Sequence, residues 1–258
     1  QIFDARVGLV EASIGRMVPV QTPEMQDGDL LRVCVERYSY LPVDRDAFRG
    51  EIPQIKSMVP FSPFDFYIRR KLYIHNLGHA TTAYLGLYTS KEFIFESIDN
   101  ADVYAIVLNA MLESAEALAK KYSVSLPDVM RHIQDLLFRF TNRALKDTCA
   151  RVGADIKRKL APQDRLIGSA TLCMEQGITP AFLCVGAAGA VYEYLKQNNL
   201  EQTRENAIET LKQLSGLTEG NLVDQILEYY ALFAAGEPVA NIRRAAQKVK
   251  AAHNFDVV

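Results

Sequence analysis

The chain has 258 residues, 49% hydrophobic and 23% charged, with a formal net charge of -2. That length is ample for a buried core, and the composition is ordinary for a globular protein. The charge balance gives no reason to expect nucleic acid or an anionic membrane as partner, and the apolar, uncharged run from Gly177 to Tyr192 is broken by Pro180 and falls short of the roughly 20 residues a bilayer needs.

Residues 1–60 differ in texture from the rest. VGLVEAS (7–13), MVPV (17–20) and LLRVCVERYSYLPV (30–43) are β-branched or alternating, and Pro, Gly and Asp separate them. They predict two or three short strands with loops. The chain opens on Gln1, already in a strand-like run, and the expectation is a piece of a longer protein. From Ser62 the pattern turns helical. Ser62 as cap, Pro63 at the first position and Asp65 in the first turn predict a helix running to about Tyr88. Asp99 or Asn100 caps a helix over 101–121, and Ser125-Leu126-Pro127-Asp128 opens another towards Ala150. A shorter helix is expected from Gln163 to Gln176, stopped by Gly177. Thr179-Pro180 begins an apolar, small-residue helix, AFLCVGAAGAVYEYL, that should lie buried between others. Helices over 201–214, 219–235 and 238–252 complete the set. No fixed-period repeat is present. The four cysteines, Cys34, Cys149, Cys173 and Cys184, form no CxxC pair, and their apolar contexts predict buried, reduced thiols in a cytoplasmic protein.

The first helix carries the chemistry-bearing residues. RRKLYIHNLGHATTAYLG (69–86) mixes Lys71, His75, Asn76 and His79 with Gly78 and Gly86. At about 100° per residue, Lys71, Thr82, His75, Gly86, His79, Ala83 and Asn76 share an arc of about 140°. Tyr73, Leu77, Ala80, Tyr84 and Tyr88 fill the opposite side. Small residues among polar ones are expected to lower that face and make room for something bulky. An ordinary solvated face would carry Glu, Lys and Gln instead. His75 and His79, four apart, could share a metal. The metalloprotease pattern, however, needs a Glu where Asn76 stands, and no third ligand lies nearby in sequence. No metal is expected. Lysine, asparagine and histidine together suit oxidation of a secondary alcohol. A lysine whose pKa is lowered by burial takes the hydroxyl proton. An amide donates to the developing carbonyl oxygen, and an imidazole holds that oxygen or a neighbouring hydroxyl. The hydride then needs a cofactor.

KLYIHNLGHA resembles the K-x4-N-x2-H signature of the polyol-specific long-chain dehydrogenase/reductase (mannitol dehydrogenase) family. VGLVEASIGRMVP (7–19) is similar to the end of that family's nucleotide-binding domain, and ARVGADIKRKLAPQDRLIGSA (150–170) to its second substrate-side segment. The resemblance implies a mainly α fold. A multi-helical catalytic domain over 61–258, like the C-terminal domain of 6-phosphogluconate dehydrogenase, would follow a short β-containing remnant of an NAD-binding domain over 1–60. It implies Lys71 as general base, with Asn76 and His79 polarising the reacting oxygen. The implied cofactor is NAD, and the implied partner is a small polyol or sugar phosphate. Two departures stand out. No Gly-rich phosphate-binding turn occurs in the chain, and Gly15 stands where the family often has Asp before the Arg of IGRMVP.

IKRKLAPQDRL gathers Lys157, Arg158, Lys159 and Arg165. Taken alone it reads as a solvated basic patch or as an anion site. The resemblance implies substrate binding by Arg151, Lys159, Arg165 and His75, with Arg69 and Arg70 as secondary candidates. Related readings are a hexuronate reductase or a free-polyol dehydrogenase. A reading of another class is a helical interaction module in which residues 101–121 and 180–196 bury against a partner, the face of Lys71, Asn76 and His79 is incidental, and the Lys71 ammonium stands in bulk water.

Overall fold

The computed structural model describes residues 6–255. The chain divides into two compact units, the first formed by residues 1–71 with 144–146, the second by 72–143 with 147–258.

Among its described residues the first unit holds a short helix, α1 (Pro23–Gln26), and two parallel strands, β1 (Leu41–Asp44) and β2 (Met58–Phe61), with Leu41 opposite Met58 and Asp44 opposite Phe61. Of the strands expected over 7–43, only the end of the last forms. Ala12 makes a single antiparallel bridge to Val43, and residues 13–40 have no ladder. A strand persists only where a partner satisfies its backbone. The β-branched residues here lack one, and Leu9, Val20, Leu30 and Leu31 stand exposed. An aromatic cluster closes the unit. Phe61 meets Tyr67 edge-on at 4.8 Å, Phe66 meets Tyr67 at 5.2 Å, and the hydroxyls of Tyr40 and Tyr67 are 2.6 Å apart.

The second unit is helical. A rod runs from α2 (Asp65–Arg70, still in the first unit) through a π-helical turn (Lys71–Asn76) to α3 (Leu77–Tyr88). Then come α4 (Ile94–Ile98), α5 (Ala101–Tyr122), α6 (Leu126–Phe140), α7 (Cys149–Gly153), α8 (Ile156–Lys159), α9 (Ile167–Glu175), α10 (Ala181–Gln197), α11 (Arg204–Ser215), α12 (Asn221–Ala234) and α13 (Val239–Phe255). Three expected boundaries move. Ser62 does not cap the rod, because its hydroxyl donates to the Asp46 carboxylate and Phe64 takes the cap position. The helix from Ser125 stops at Phe140 instead of Ala150, where the Thr141 hydroxyl turns back to the Phe138 carbonyl; a 3₁₀ turn, Arg143–Leu145, and α7 follow. Residues 163–166 are turn, with Gly168 N–H closing on Asp164 O, so that helix begins only at Ile167.

The small-residue helix α10 is the hub, packed against α3, α5, α12 and α13 and buried almost throughout. A Cβ on Gly186 would fall 2.5 Å from Thr81 Oγ1, so this glycine sets the approach of α10 to α3. Glu113 of α5 is buried at the start of α10. Its carboxylate accepts from the backbone N–H groups of Phe182 and Leu183 and lies 3.6 Å from Lys250 Nζ of α13. Cys149, Cys173 and Cys184 are buried free thiols, whereas Cys34 is only half-buried, its Sγ near Met25 O. No helix among the described residues is long and apolar enough to cross a membrane.

Candidate active site

The π turn begins at Lys71 and ends at Asn76. Its i→i+5 bonding underwinds the turn and brings residues five apart closer around the axis than an α-helix does. A regular α-helix would separate them by about 140° around the axis. The wheel drawn at α-helical pitch therefore spread Lys71 and Asn76 too widely, and single π turns are frequent at functional sites. Exposure marks the same stripe. Lys71, Leu72, Asn76 and His79 are partly exposed, and every other residue from Tyr73 to Gly86 is buried. Asn76 adjoins the start of α3 but makes no capping hydrogen bond with its side chain.

The glycines do not open space for a ligand. A Cβ at Gly78 would lie 2.5 Å from Met111 Sδ of α5, and one at Gly86 would lie 2.5 Å from Cys149 Sγ of α7. The bulky neighbours are protein. Thr82, expected on the polar face, is fully buried, its hydroxyl donating to Gly78 O at 2.8 Å.

His79 is held from two directions. Its ring stacks on Phe140 at 5.0 Å and 13°, and its Nε2 lies 3.3 Å from Asp147 Oδ2. The other Asp147 oxygen accepts from Arg151. Burial pushes the Asp147 carboxyl up, but the hydrogen bond and charge of His79 and those of Arg151 outweigh it and hold the group below the usual carboxylate range. Sequence reasoning, which looked for cations in this segment, passed over Asp147. Its spacing four before Arg151 in DTCAR was the available signal. His75 is buried, 6.0 Å from Phe140 and 6.2 Å from His79 between ring centres. No cluster of three metal-ligating side chains occurs among the described residues.

The basic segment splits up. Lys157 and Arg158 face solvent at the end of α8, and Arg158 pairs with Asp155 at 3.0 Å. Lys159 is only 4% exposed. Burial first, then the charges of Arg165 and Arg158, lower its pKa to about 8. Arg165, mostly buried, pairs with Asp164 at 2.7 Å. The Tyr84 hydroxyl, which feels the charge of Arg165, is buried with no hydrogen-bond partner among the described residues. Arg151 is exposed on its Asp147 pair, Arg69 pairs with Asp65, and Arg70 lies over the Tyr67 ring at 4.4 Å. In the first unit Gly15 lines a hollow of about 550 Å³ with Arg16, Tyr38, Tyr40 and Lys56. The Tyr38 ring stands 3.3 Å from where a Cβ would be, occupying side-chain space beside Gly15.

Residues 64–252 match the family model described as the mannitol dehydrogenase C-terminal domain. The mannitol-1-phosphate 5-dehydrogenase of Caldanaerobacter subterraneus subsp. tengcongensis is 33% identical over 236 residues, covering 88% of this chain and 60% of that protein. The enzyme of the same name from Thermoanaerobacter pseudethanolicus is 31% identical over 237 residues, 89% of this chain and 60% of that protein. The chain thus spans about three fifths of the length of these curated relatives. A ternary complex of Pseudomonas fluorescens mannitol 2-dehydrogenase with NAD and D-mannitol superposes with a TM-score of 0.74 at 18% identity, over 96% of this chain and 56% of that one. Substrate-free D-sorbitol dehydrogenase gives 0.70 at 15% identity, over 89% and 54%. These two likenesses show the fold. The family match over most of the length shows more: the chain belongs to the mannitol dehydrogenase family and carries its helical C-terminal domain.

Proposed function

We propose that the chain is the substrate-binding and catalytic portion of an NAD-dependent polyol-phosphate dehydrogenase of the mannitol 1-phosphate to fructose 6-phosphate type. The observation that carries this reading is that Lys71, Asn76 and His79 are partly exposed while the other residues from Tyr73 to Gly86 are buried. The Lys71 amine takes the hydroxyl proton of the substrate. The Asn76 amide donates to the same oxygen as it becomes a carbonyl. His79 binds the reacting oxygen or the hydroxyl beside it. Lys159 and Arg165 are the candidates for the substrate anion; a buried ammonium with a lowered pKa beside two guanidinium groups gains most when an anion arrives. His75 packs behind His79, and Arg151 is assigned with Asp147. NAD, when bound, supplies the hydride acceptor. The Gly-rich turn that would seat its pyrophosphate is not among these 258 residues.

The test is made in the full-length protein. Lys71→Ala should cut NADH formation from mannitol 1-phosphate by at least about 100-fold while leaving the circular-dichroism spectrum unchanged. Full activity in that variant would end the proposal. A panel of mannitol 1-phosphate, free hexitols and hexuronates separates this substrate from those of related enzymes. Arg165→Ala should raise KM for the phosphorylated polyol far more than for the free one.

A further inference from the structure

Asp147 is placed by its backbone before its side chain does anything. Its carbonyl accepts from Ile94 N–H at 2.9 Å, and the next residue, Thr148, bridges to Phe93 and caps α7 by accepting from Arg151 N–H at 3.2 Å. The carboxylate projecting from this pinned position is divided. One oxygen takes Arg151 and the other faces His79 Nε2, so it cannot rotate without losing a partner. Its side chain is only 10% exposed, which limits competition from water. Phe140 fixes the plane of the imidazole and Asp147 fixes its rotation within that plane.

We infer that Asp147 is a positioning residue of the dehydrogenase site: by binding Nε2–H of His79 it sets the tautomer and leaves Nδ1 as the nitrogen offered to a substrate hydroxyl. The inference rests on the function proposed above. It also gives Arg151 a role, that of steadying the carboxylate, which a direct contact with substrate phosphate would not explain. A neutral imidazole carries one donor and one acceptor, and a carboxylate on one nitrogen decides which is which. Without the carboxylate the ring can present the wrong nitrogen, a fault that costs turnover more than substrate affinity.

Two measurements test this. On the chain as it stands, long-range ¹H–¹⁵N spectra of the neutral imidazoles should show His79 as the Nε2–H form, and Asp147→Ala should give mixed tautomers. In the full-length protein, Asp147→Ala should lower kcat by at least about tenfold with KM changed far less, and Asp147→Glu should recover part of the loss. The isosteric Asp147→Asn keeps one oxygen, which Arg151 retains, and turns its amide N–H groups toward Nε2; it should favour the Nδ1–H form and lower kcat at least as far as Asp147→Ala, and it serves if the alanine variant does not fold. A wild-type His79 in the Nδ1–H form would overturn the inference, as would an unchanged tautomer and kcat in Asp147→Ala and Asp147→Asn. If Lys71→Ala is inactive while those variants behave as wild type, only the role of Asp147 falls. If Lys71→Ala is fully active, the site itself falls.

Discussion

At the scale of single residues, burial decides what each cation can do. Lys157, Arg158 and Lys159 are consecutive, yet only Lys159 is inside. Its folded-state pKa of about 8 lies below the ordinary 10.5. Below about pH 8 the folded protein carries a buried ammonium, and its cost is fully present. Between 8 and 10.5 the folded state sheds the proton while the unfolded chain keeps it, so this group's contribution to stability rises with pH. Lys159→Met should therefore raise Tm at pH 7, flatten that rise, and weaken protection of the chain by inorganic phosphate. Thermal melts at several pH values with and without phosphate would check all three. The identities of Lys71, Asn76 and His79 were legible in the sequence because the signature spacing lies within 9 consecutive positions. Asp147 was not, because it reaches His79 from 68 positions away, across a break in helix that local pattern does not announce. Which of three adjacent cations is buried was equally hidden, since periodicity is a poor guide in a helix of 4 residues such as α8.

At the scale of elements, most helices were legible and their ends were not. Asn100 and Gly177 do what their residue types predict: Asn100 caps α5 through the N–H groups of Asp102 and Val103, and Gly177 takes a positive φ of 70°. The π turn left no trace in composition. The strands failed because a β-branched run says what a segment can become, whereas pairing depends on a distant partner. Helix α10 shows such a dependence in its cap. Pro180 offers no side-chain hydrogen bond, and Glu113 supplies the acceptor from α5. Burial, opposed by Lys250 and the two backbone donors, raises the Glu113 pKa to about 7 from an ordinary 4.5. A raised carboxyl stabilises the fold fully below about 4.5, and that contribution is lost as pH climbs through 7. Glu113→Gln keeps an acceptor for the N–H groups without the charge. It should remove the fall in stability between about pH 4.5 and 7, whereas Glu113→Ala should destabilise at every pH by about 1–3 kcal/mol by leaving those donors unpaired. Urea titrations across that range would measure both.

At the scale of the whole molecule, the two units differ in how they are held. Beyond its aromatic cluster the first unit buries little: Val43, Phe64, Phe66, Tyr67 and Leu145 are its buried hydrophobic residues among those described, and residues 13–40 have no ladder. The second unit contains α10, whose residues from Ala181 to Val191 are all buried. Local opening follows buried apolar contact and backbone pairing, so the free energy of opening should fall far below the global value in the first and approach it in the second. Hydrogen–deuterium exchange read by mass spectrometry should find peptides from 13–40 exchanged within seconds to minutes, and those from α10 and α5 protected for hours. The rod 65–88 crosses the division and offers the sharper comparison. Amides from Ile74 to Gly86, buried with α3, should exchange as slowly as α10, and those before Lys71 faster. Equal protection along the whole rod would mean that the Lys71 end is held as firmly as the His79 end, and the division at Lys71 would then have no energetic counterpart.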